Sequence, residues 1–266
     1  MEPNSSSESA HSHPGGSAGG RPGRPAMATP PEAPDINEKG RAEDGTVLTS
    51  DRRLYMQLLA FTGCQDSQGV AAVLERAEIS GVVYEDLNDP RGIAVLTYSE
   101  DPAFFIDTLR PQLNHGVFAN LEPRPEYTMF GRTYSLGYEP DLQEVLFDRP
   151  IRAALTPEWP WAIWYPLRRS GKFEKLEAKE QRQILMEHGT IGHAFGGANL
   201  AHDVRLACHG LDKNDSDFVI GITGDKLHPL SAVVQSMRKT TQTSLYLERL
   251  GPFFIGRAVW QKRFDA

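Results

Sequence analysis

The sequence predicts an α+β fold built from two tandem ferredoxin-like units, each with the order β-α-β-β-α-β and an antiparallel sheet. Runs rich in Val, Ile, Tyr and Phe alternate with helical stretches in the same order in both halves. Turn sequences rich in Gly, Asn, Asp and Pro separate these runs. The chain has 266 residues, of which 39% are hydrophobic, so each half can build its own core.

The first unit is predicted over residues 51–150. A turn at 88–92 joins its two central strands, and a loop from about 138 to 160 leads into the second unit. Its elements in order are the strand RLYMQLLAF, the helix SQGVAAVLERA, the strands VVYEDL and GIAVLTYS, the helix DPAFFIDTLRPQL and the strand YTMFGRTYSLGY.

The second unit is predicted over residues 151–266 and repeats this order. Two such units can pair their sheets face to face or edge to edge, which gives the dimeric α+β barrel type of fold. The predicted elements are the strand WAIWYPL, the long helix EKLEAKEQRQILMEHGTIGHAF, strands at 202–208 and DFVIGIT, the helix HPLSAVVQSMRK and the strand PFFIGRAVWQ.

Residues 1–50 are predicted to be a disordered tail. Segments such as SSSESAHSHPGGSAGGRPGRP contain too little apolar surface to offset the entropy of ordering. His11 and His13 could bind a metal, but a solvated tail is the favoured interpretation.

Charge and composition exclude several functional classes. The net charge of −7 leaves no basic excess for a general affinity for nucleic acid. The sequence contains no run of about 18 apolar residues that could span a membrane and no secretory signal pattern, so a cytoplasmic location is expected. Cys64 and Cys208 form no CxxC motif and are expected to be buried thiols.

Four segments of the second half resemble the chlorite dismutase-like haem proteins, and within them the coproheme decarboxylases. The resemblance covers roughly 150–258 well and reaches the first half only through its strand order. The segments are IRAALTPEWP at 151–160, WYPLRR at 164–169, LMEHGTIG at 185–192, and the pair GLD at 210–212 and MRKTTQTSLYLERLGPFFIG at 237–256.

This resemblance implies a haem cofactor, either iron coproporphyrin III or haem b, with His188 as its iron ligand. A neutral imidazole on a helix is a suitable axial ligand. His193 is the rival, but five residues along a helix turn the side chain by about 140°, so both cannot face one iron. Gly189 and Gly192 would let a flat macrocycle approach the helix backbone closely.

The resemblance also assigns Tyr165 the role of the radical-forming tyrosine. Coproheme carries four propionates, of which two are oxidised to vinyl groups. A phenol beside a propionate can pass an electron and a proton to peroxide-activated iron, and then take hydrogen from the propionate as carbon dioxide leaves. The cofactor carries the redox chemistry, while the protein places the reacting groups.

Basic and polar residues are expected to hold the four carboxylates. Family decarboxylases often carry arginine where this sequence has His193 and Ala154, and these departures weaken the assignment to coproheme more than the assignment to haem. Arg152 is the candidate to replace the family arginine that is missing at Ala154. The other candidates for binding the cofactor are Arg168, Arg169, Lys172, Arg238 and Thr243.

Chlorite dismutases place an arginine above the iron, and here that position falls at Asp203 or Arg205. Strand alternation puts both side chains on one face, where they could form an ion pair. His202 and His209 are weaker candidates, because they either point to the opposite face of the strand or lie near its end.

Three hypotheses follow. The leading one is peroxide-driven coproheme decarboxylation, with the porphyrin and hydrogen peroxide as partners. The second is chlorite breakdown or a related peroxidase activity, and the third is a non-catalytic haem carrier or sensor. The resemblance further implies a homopentamer, and the edge strands of the predicted sheets need cover in any case.

Overall fold

The computed structural model of the protein describes residues 33–264. The strands are β1 Glu38–Arg41, β2 Val47–Ser50, β3 Tyr55–Thr62, β4 Gly81–Asp86, β5 Ile93–Ser99, β6 Glu122–Pro123, β7 Met129–Arg132, β8 Trp161–Arg169, β9 His202–Ala207, β10 Phe218–Gly224, β11 Leu247–Leu250 and β12 Phe254–Lys262. The α-helices are α1 Ser67–Arg76, α2 Arg110–Leu113, α3 Arg149–Leu155, α4 Gly171–Glu174, α5 Ala178–Gly197, α6 Leu227–Met237 and α7 Thr241–Tyr246. Phe105–Leu109 and Glu144–Asp148 are π-helical, and Gly116–Asn120 and Pro125–Tyr127 are 3-10 turns.

Eight antiparallel strands close into a barrel. Their order around the ring is β8-β10-β9-β7-β3-β5-β4-β12, and β12 pairs again with β8. Strands β6 and β11 extend β3 and β8 at the barrel ends. Closure leaves no free edge along most of the sheet, which removes the exposed pairing groups of an open sheet.

Each half contributes four strands in the order of a ferredoxin-like unit, which confirms the predicted fold class. The first half supplies β7-β3-β5-β4 and the second supplies β9-β10-β8-β12. The halves join edge to edge, through β4 with β12 and through β7 with β9. Residues from Ile36 onward consequently form one compact unit, because the two predicted units share a single sheet.

Large apolar side chains fill the barrel interior. Trp164, Met56 and Tyr84 are at most 1% exposed and belong to one cluster that draws on both halves. Gly221 lies opposite Trp164, and a Cβ at this glycine would meet the indole ring at 2.5 Å. The indole therefore occupies the space that a side chain at position 221 would need.

Replacing Gly221 with alanine should destabilise the protein by roughly 1–3 kcal/mol, because overpacking forces the indole or the strand to shift. Urea unfolding of the variant measures this as a lower midpoint. Gly171→Ala is the matched control, since a Cβ at Gly171 meets nothing within 4 Å. Equal midpoints for both variants would contradict the packing argument.

The predicted loop from about 138 to 160 is largely helical. The π-helical turn Glu144–Asp148 runs into α3, and Leu146, Phe147 and Ala154 pack into the barrel core. Pro150 lies inside a helical run that is continuous from residue 142 to residue 155, where its ring fixes φ at a helical value but removes one backbone N–H donor. The loop prediction overlooked the apolar residues that plug this end of the barrel.

The predicted disordered tail is corrected at its C-terminal end, where β1 and β2 form a hairpin. Glu38 on β1 accepts hydrogen bonds from Arg132 Nη1 at 2.8 Å and from the Ser135 backbone N–H at 2.9 Å. The Arg41 N–H donates to the Glu139 carbonyl oxygen at 2.9 Å. These long-range bonds, which composition cannot predict, order the polar segment. His11 and His13 lie outside the described residues.

Both cysteines are buried free thiols, as predicted. Burial raises the pKa of the Cys208 thiol to about 12 and also raises the pKa of Cys64. Because the thiolate is the reactive form, iodoacetamide at pH 8 should label neither cysteine in the folded protein and both after unfolding. Mass spectrometry of intact protein measures the labelling, and rapid modification of native Cys208 would contradict the expectation.

Within residues 33–264, the structure contains no helix that is both long enough and apolar enough to cross a membrane.

Candidate functional site

The outer sheet faces of the two halves are covered to different extents. In the first half, helices seal the sheet, and Val83, Val95 and Leu74 are 2% exposed or less. In the second half, many outer-face side chains stay partly exposed, among them Ile220 and Ile255. The second half therefore keeps apolar sheet surface that its own helices do not fully cover.

Helix α5 accounts for much of this incomplete cover. Across the described chain it packs mainly against α6, α7 and β9, and Ile184 is its one buried residue. Its inward stripe follows helical spacing through Gln181, Ile184, His188, Ile191 and Phe195. The stripe places an imidazole among apolar side chains that face the sheet.

Glycines leave open space along the same helix. A Cβ added at Gly189 would meet nothing within 4 Å, and one added at Gly192 would meet only the Met237 side chain at 3.9 Å. Glycine inside a helix costs about 1 kcal/mol relative to alanine, so packing within the chain does not explain these residues. A close approach to the helix backbone from outside the chain remains sterically possible.

His188 is half-buried and points inward. Its Nδ1 lies 3.4 Å from Thr240 Oγ1, a long contact. Burial lowers the pKa of His188, and the positive charges of Arg169 and Arg205 lower it further. The imidazole is consequently neutral at neutral pH, which iron ligation requires. His193 is exposed on the other side of α5, as the helical geometry predicts.

Strand register aligns the polar candidates on the outer face. Arg205 on β9 is opposite Ile220 on β10, and Ile220 is opposite Tyr165 on β8. With strands about 4.8 Å apart, the Cα atoms of Arg205 and Tyr165 are separated by roughly 10 Å. Asp203 lies in the next outward row, because β9 alternates and Val204 points into the barrel.

Tyr165 is 7% exposed and stacks on Phe253, with ring centroids 4.6 Å apart. Burial raises the pKa of its phenol well above the ordinary value, and the negative charge of Asp203 adds to the effect. The positive charge of Arg238 acts in the opposite direction. Tyr165 is thus a neutral phenol held within electrostatic reach of both ions.

Two guanidinium groups lie near the imidazole. Arg169 is two residues beyond Leu167 on the outward face and lies over the Phe173 and Phe218 rings, at 4.9 and 4.5 Å. Burial lowers its pKa, and its Nε has no hydrogen-bond acceptor within residues 33–264. Arg205 Nε lies 2.9 Å from Asp203 Oδ2, so the predicted ion pair is present.

Two residues near the site escaped the sequence analysis. Tyr134 follows β7 in the first half, and burial raises its pKa while the charges of Arg205 and Arg169 lower it. The pairing of β7 with β9 brings it there, which the joined order of two ferredoxin-like units could have predicted. Thr240, which contacts His188, gave no sequence signal beyond its place in the family-like segment.

Two of the predicted arginines form ion pairs within the chain. Arg168 has the opposite strand parity to Tyr165 and forms ion pairs with Asp215 and Glu248. Arg152 on α3 donates to Glu144 through both terminal nitrogens. Carboxylates of the chain therefore engage both side chains, and the roles of Arg168 and Arg152 in binding propionates stay predictions.

The remaining candidates surround Tyr165 or α5. The Arg238 guanidinium lies 6.0 Å from the centroid of Phe253, the ring that stacks on Tyr165. Thr243 Oγ1 accepts from Thr240 Oγ1 at 3.3 Å. Lys172 is exposed on α4, and its role stays a prediction.

A cavity of about 400 Å³ opens between α6 and strands β8 and β12. Ile163, Val234 and Ile255 form apolar parts of its lining, and Arg238 and Phe253 also line it. The cavity thus provides an apolar surface with one cation, next to the ring that stacks on Tyr165.

The residues of this face fit a haem. A porphyrin requires one axial ligand, a flat apolar contact surface and cations for its carboxylates. His188 would supply the ligand, the partly covered sheet and the glycines of α5 would supply contact surface, and Arg169 and Arg238 would supply charge. Within residues 33–264 there is no cluster of three or more His, Cys, Asp or Glu residues suited to a bare metal ion.

Solved structures share this fold. A haem-binding protein from Thermus thermophilus is 17% identical, with a TM-score of 0.62, and the match covers 78% of this chain and 91% of that protein. A mutant chlorite dismutase from Candidatus Nitrospira defluvii is 16% identical, also with a TM-score of 0.62, and the match covers 79% and 92% of the two chains.

At the level of sequence, no curated protein matches the chain. The family model described as chlorite dismutase matches residues 125–259, which is just over half of the chain and includes the row from Arg205 to Tyr165 and the whole of α5. The protein belongs to the chlorite dismutase family.

Proposed function

We propose that this protein is a haem-dependent oxidoreductase that decarboxylates iron coproporphyrin III to haem b with hydrogen peroxide. The observation that carries the proposal is the arrangement on the outer face of the second half. There His188 on α5 faces a sheet that presents a buried phenol, Tyr165, together with cations. A plain haem carrier has no need of such a phenol.

The reaction balances for each propionate. One propionate, one hydrogen peroxide and one proton give one vinyl group, one carbon dioxide and two waters. When bound, the iron porphyrin supplies the two-electron reduction of peroxide. The chain supplies placement, since a well-oriented group lowers the barrier by avoiding the entropy of a chance encounter.

Tyr165 is the residue we assign to hydrogen transfer. Because burial keeps the phenol protonated, its Oη carries the hydrogen that the reaction first removes and that the propionate β-carbon then restores. Stacking on Phe253 fixes the ring plane, so the position of Oη is held by packing. Arg169 and Arg238 would bind carboxylates through charge-assisted hydrogen bonds, each contributing roughly 1.5–3 kcal/mol where shielded from water.

Mass spectrometry of the porphyrin tests this proposal. Purified protein is mixed with iron coproporphyrin III and titrated with hydrogen peroxide. Two successive losses, each of one carbon dioxide and two hydrogens, are expected. Heat-denatured protein is the control for uncatalysed oxidation. Porphyrin recovered with its mass unchanged would overturn the proposal, and transfer of that porphyrin to a second protein would instead support a carrier.

A second candidate function, chlorite breakdown to chloride and dioxygen, is favoured by Arg205. Its guanidinium lies in the outward row that contains Tyr165 and is held by Asp203, and such a cation could bind an oxyanion. Dioxygen release from millimolar chlorite by the haem-loaded protein, lost in Arg205→Ala and kept in Arg168→Ala, would support it. Absence of dioxygen from the unmodified protein would rule it out.

We also propose a cytoplasmic homo-oligomer, with a pentamer as the expected size. Large apolar side chains such as Met186 and Leu245 are 71% and 68% exposed in the single chain, which is the kind of surface that subunit contacts cover. Light scattering coupled to size exclusion measures the assembly mass. A mass of one chain across the tested concentrations would contradict this proposal.

A further inference from the structure

A second cavity, of about 210 Å³, lies between α3, the end of α5 and the start of β9. Arg149 and Arg152 line it from α3, and His202 and Asp203 line it from β9. Trp159 completes one wall and stacks on His202, with ring centroids 3.4 Å apart. The cavity is lined by charged and aromatic side chains, unlike the apolar opening beside α6.

Three of the four charged groups at this cavity and its rim are already paired within the chain. Arg152 donates to Glu144 Oε2 at 3.2 Å, and Asp203 Oδ2 lies 2.9 Å from Arg205 Nε. Arg149 is the exception. Within residues 33–264 it makes no hydrogen bond or ion pair through its side chain, and its Nε is shielded from solvent without an acceptor.

An Nε–H that is shielded from solvent and lacks an acceptor is costly, and an anion can accept its hydrogen bond. After the two ion pairs are subtracted, the lining carries one uncompensated positive charge, which suits a single negative charge. The volume exceeds that of several water molecules at about 30 Å³ each, so a small molecule fits. Asp203 would repel an anion, which therefore has to lie on the α3 side of the cavity.

We propose that this cavity binds a small monoanion through a carboxylate or another oxyanion group held by Arg149, with Arg152 beside it. A planar guanidinium can grip two oxygens at once, which favours oxyanions over spherical halides. This inference goes beyond the proposed function, since the binding needs neither haem nor Tyr165. Asp203 connects the two sites, because it lines this cavity and also acts electrostatically on Tyr165 and His188.

NMR titration of the full chain tests the site. The probes are sodium formate for a carboxylate and sodium nitrate for an inorganic oxyanion, at constant ionic strength and with sodium fluoride as the halide reference. The signals are the Trp159 indole N–H and the Arg149 Nε–H. Saturable shifts with formate, nitrate or both are expected. The probe that binds more tightly shows whether the site prefers a carboxylate or an inorganic oxyanion.

Variants at the arginine make the test specific. Arg149→Gln should weaken binding about tenfold or more, and Arg149→Lys should weaken it less, since lysine keeps the charge but not the fork. Arg257→Gln, at an exposed arginine of β12, is the matched control and should bind normally. Shifts that never saturate, or an unchanged dissociation constant in folded Arg149→Gln, would overturn the proposal.

Discussion

Haem affinity is expected to fall by at least about 100-fold when His188 is replaced with alanine, because loss of the axial ligand should cost more than loss of a group that merely orients one. His188 lies on the inward stripe of α5, and burial with two nearby arginines keeps its imidazole neutral. Titration with haem b, followed by the Soret absorption, measures the affinity. The same loss is expected with iron coproporphyrin III.

His193→Ala is the matched control for this prediction. It removes an imidazole from the same helix, but from the exposed side. Its haem titration should match that of the unmodified protein. A normal Soret band in His188→Ala together with a lost band in His193→Ala would reverse the assignment of the ligand. Imidazole added to His188→Ala should restore part of the band, which separates a lost ligand from a misfolded chain.

The second large effect is expected at Tyr165. Tyr165→Phe removes only the phenol oxygen, so the stack on Phe253 and the apolar contacts should persist. Turnover of iron coproporphyrin III should fall by at least about 100-fold, in the range of a lost proton-transfer group, while the Soret band on loading stays unchanged. Quantifying vinyl products by mass spectrometry after a fixed peroxide addition measures this effect.

Tyr98→Phe provides the comparison, since it removes a phenol oxygen from a partly buried tyrosine of the first half. Product yield from this variant should equal that of the unmodified protein. If Tyr165→Phe gave the normal yield, hydrogen transfer would belong to another residue, and the role assigned to Tyr165 would fail. A lost Soret band in Tyr165→Phe would instead show that the phenol supports binding.

Local patterns predicted the parts of the fold that depend on local chemistry. Alternation along β9 placed Asp203 and Arg205 on one face, where the structure pairs them. Helical periodicity separated His188 from His193. Both predictions rest on backbone geometry that neighbouring elements do not alter, which is why they could be made from a short stretch of sequence.

Predictions that needed distant partners were less successful. Arg168 was expected to bind a propionate, and nothing in its own segment indicated the ion pair that Asp215, far away in the sequence, forms with it across a loop. The hairpin of β1 and β2 is polar, and its order comes from bonds to Arg132 and Glu139 about 100 residues onward. Composition indicates only how much apolar surface a segment can bury by itself, so it does not predict such long-range bonds.

The filled barrel has a consequence for how the cofactor is acquired. Trp164 and its neighbours fill the lumen with side chains of the chain itself, so the barrel interior leaves no room for a porphyrin. Binding of a porphyrin would then involve only the layer outside the sheet, which α5 covers incompletely. The two halves therefore differ in role. The first half contributes a sheet sealed by its own helices to stability, and the second leaves sheet surface open to a cofactor.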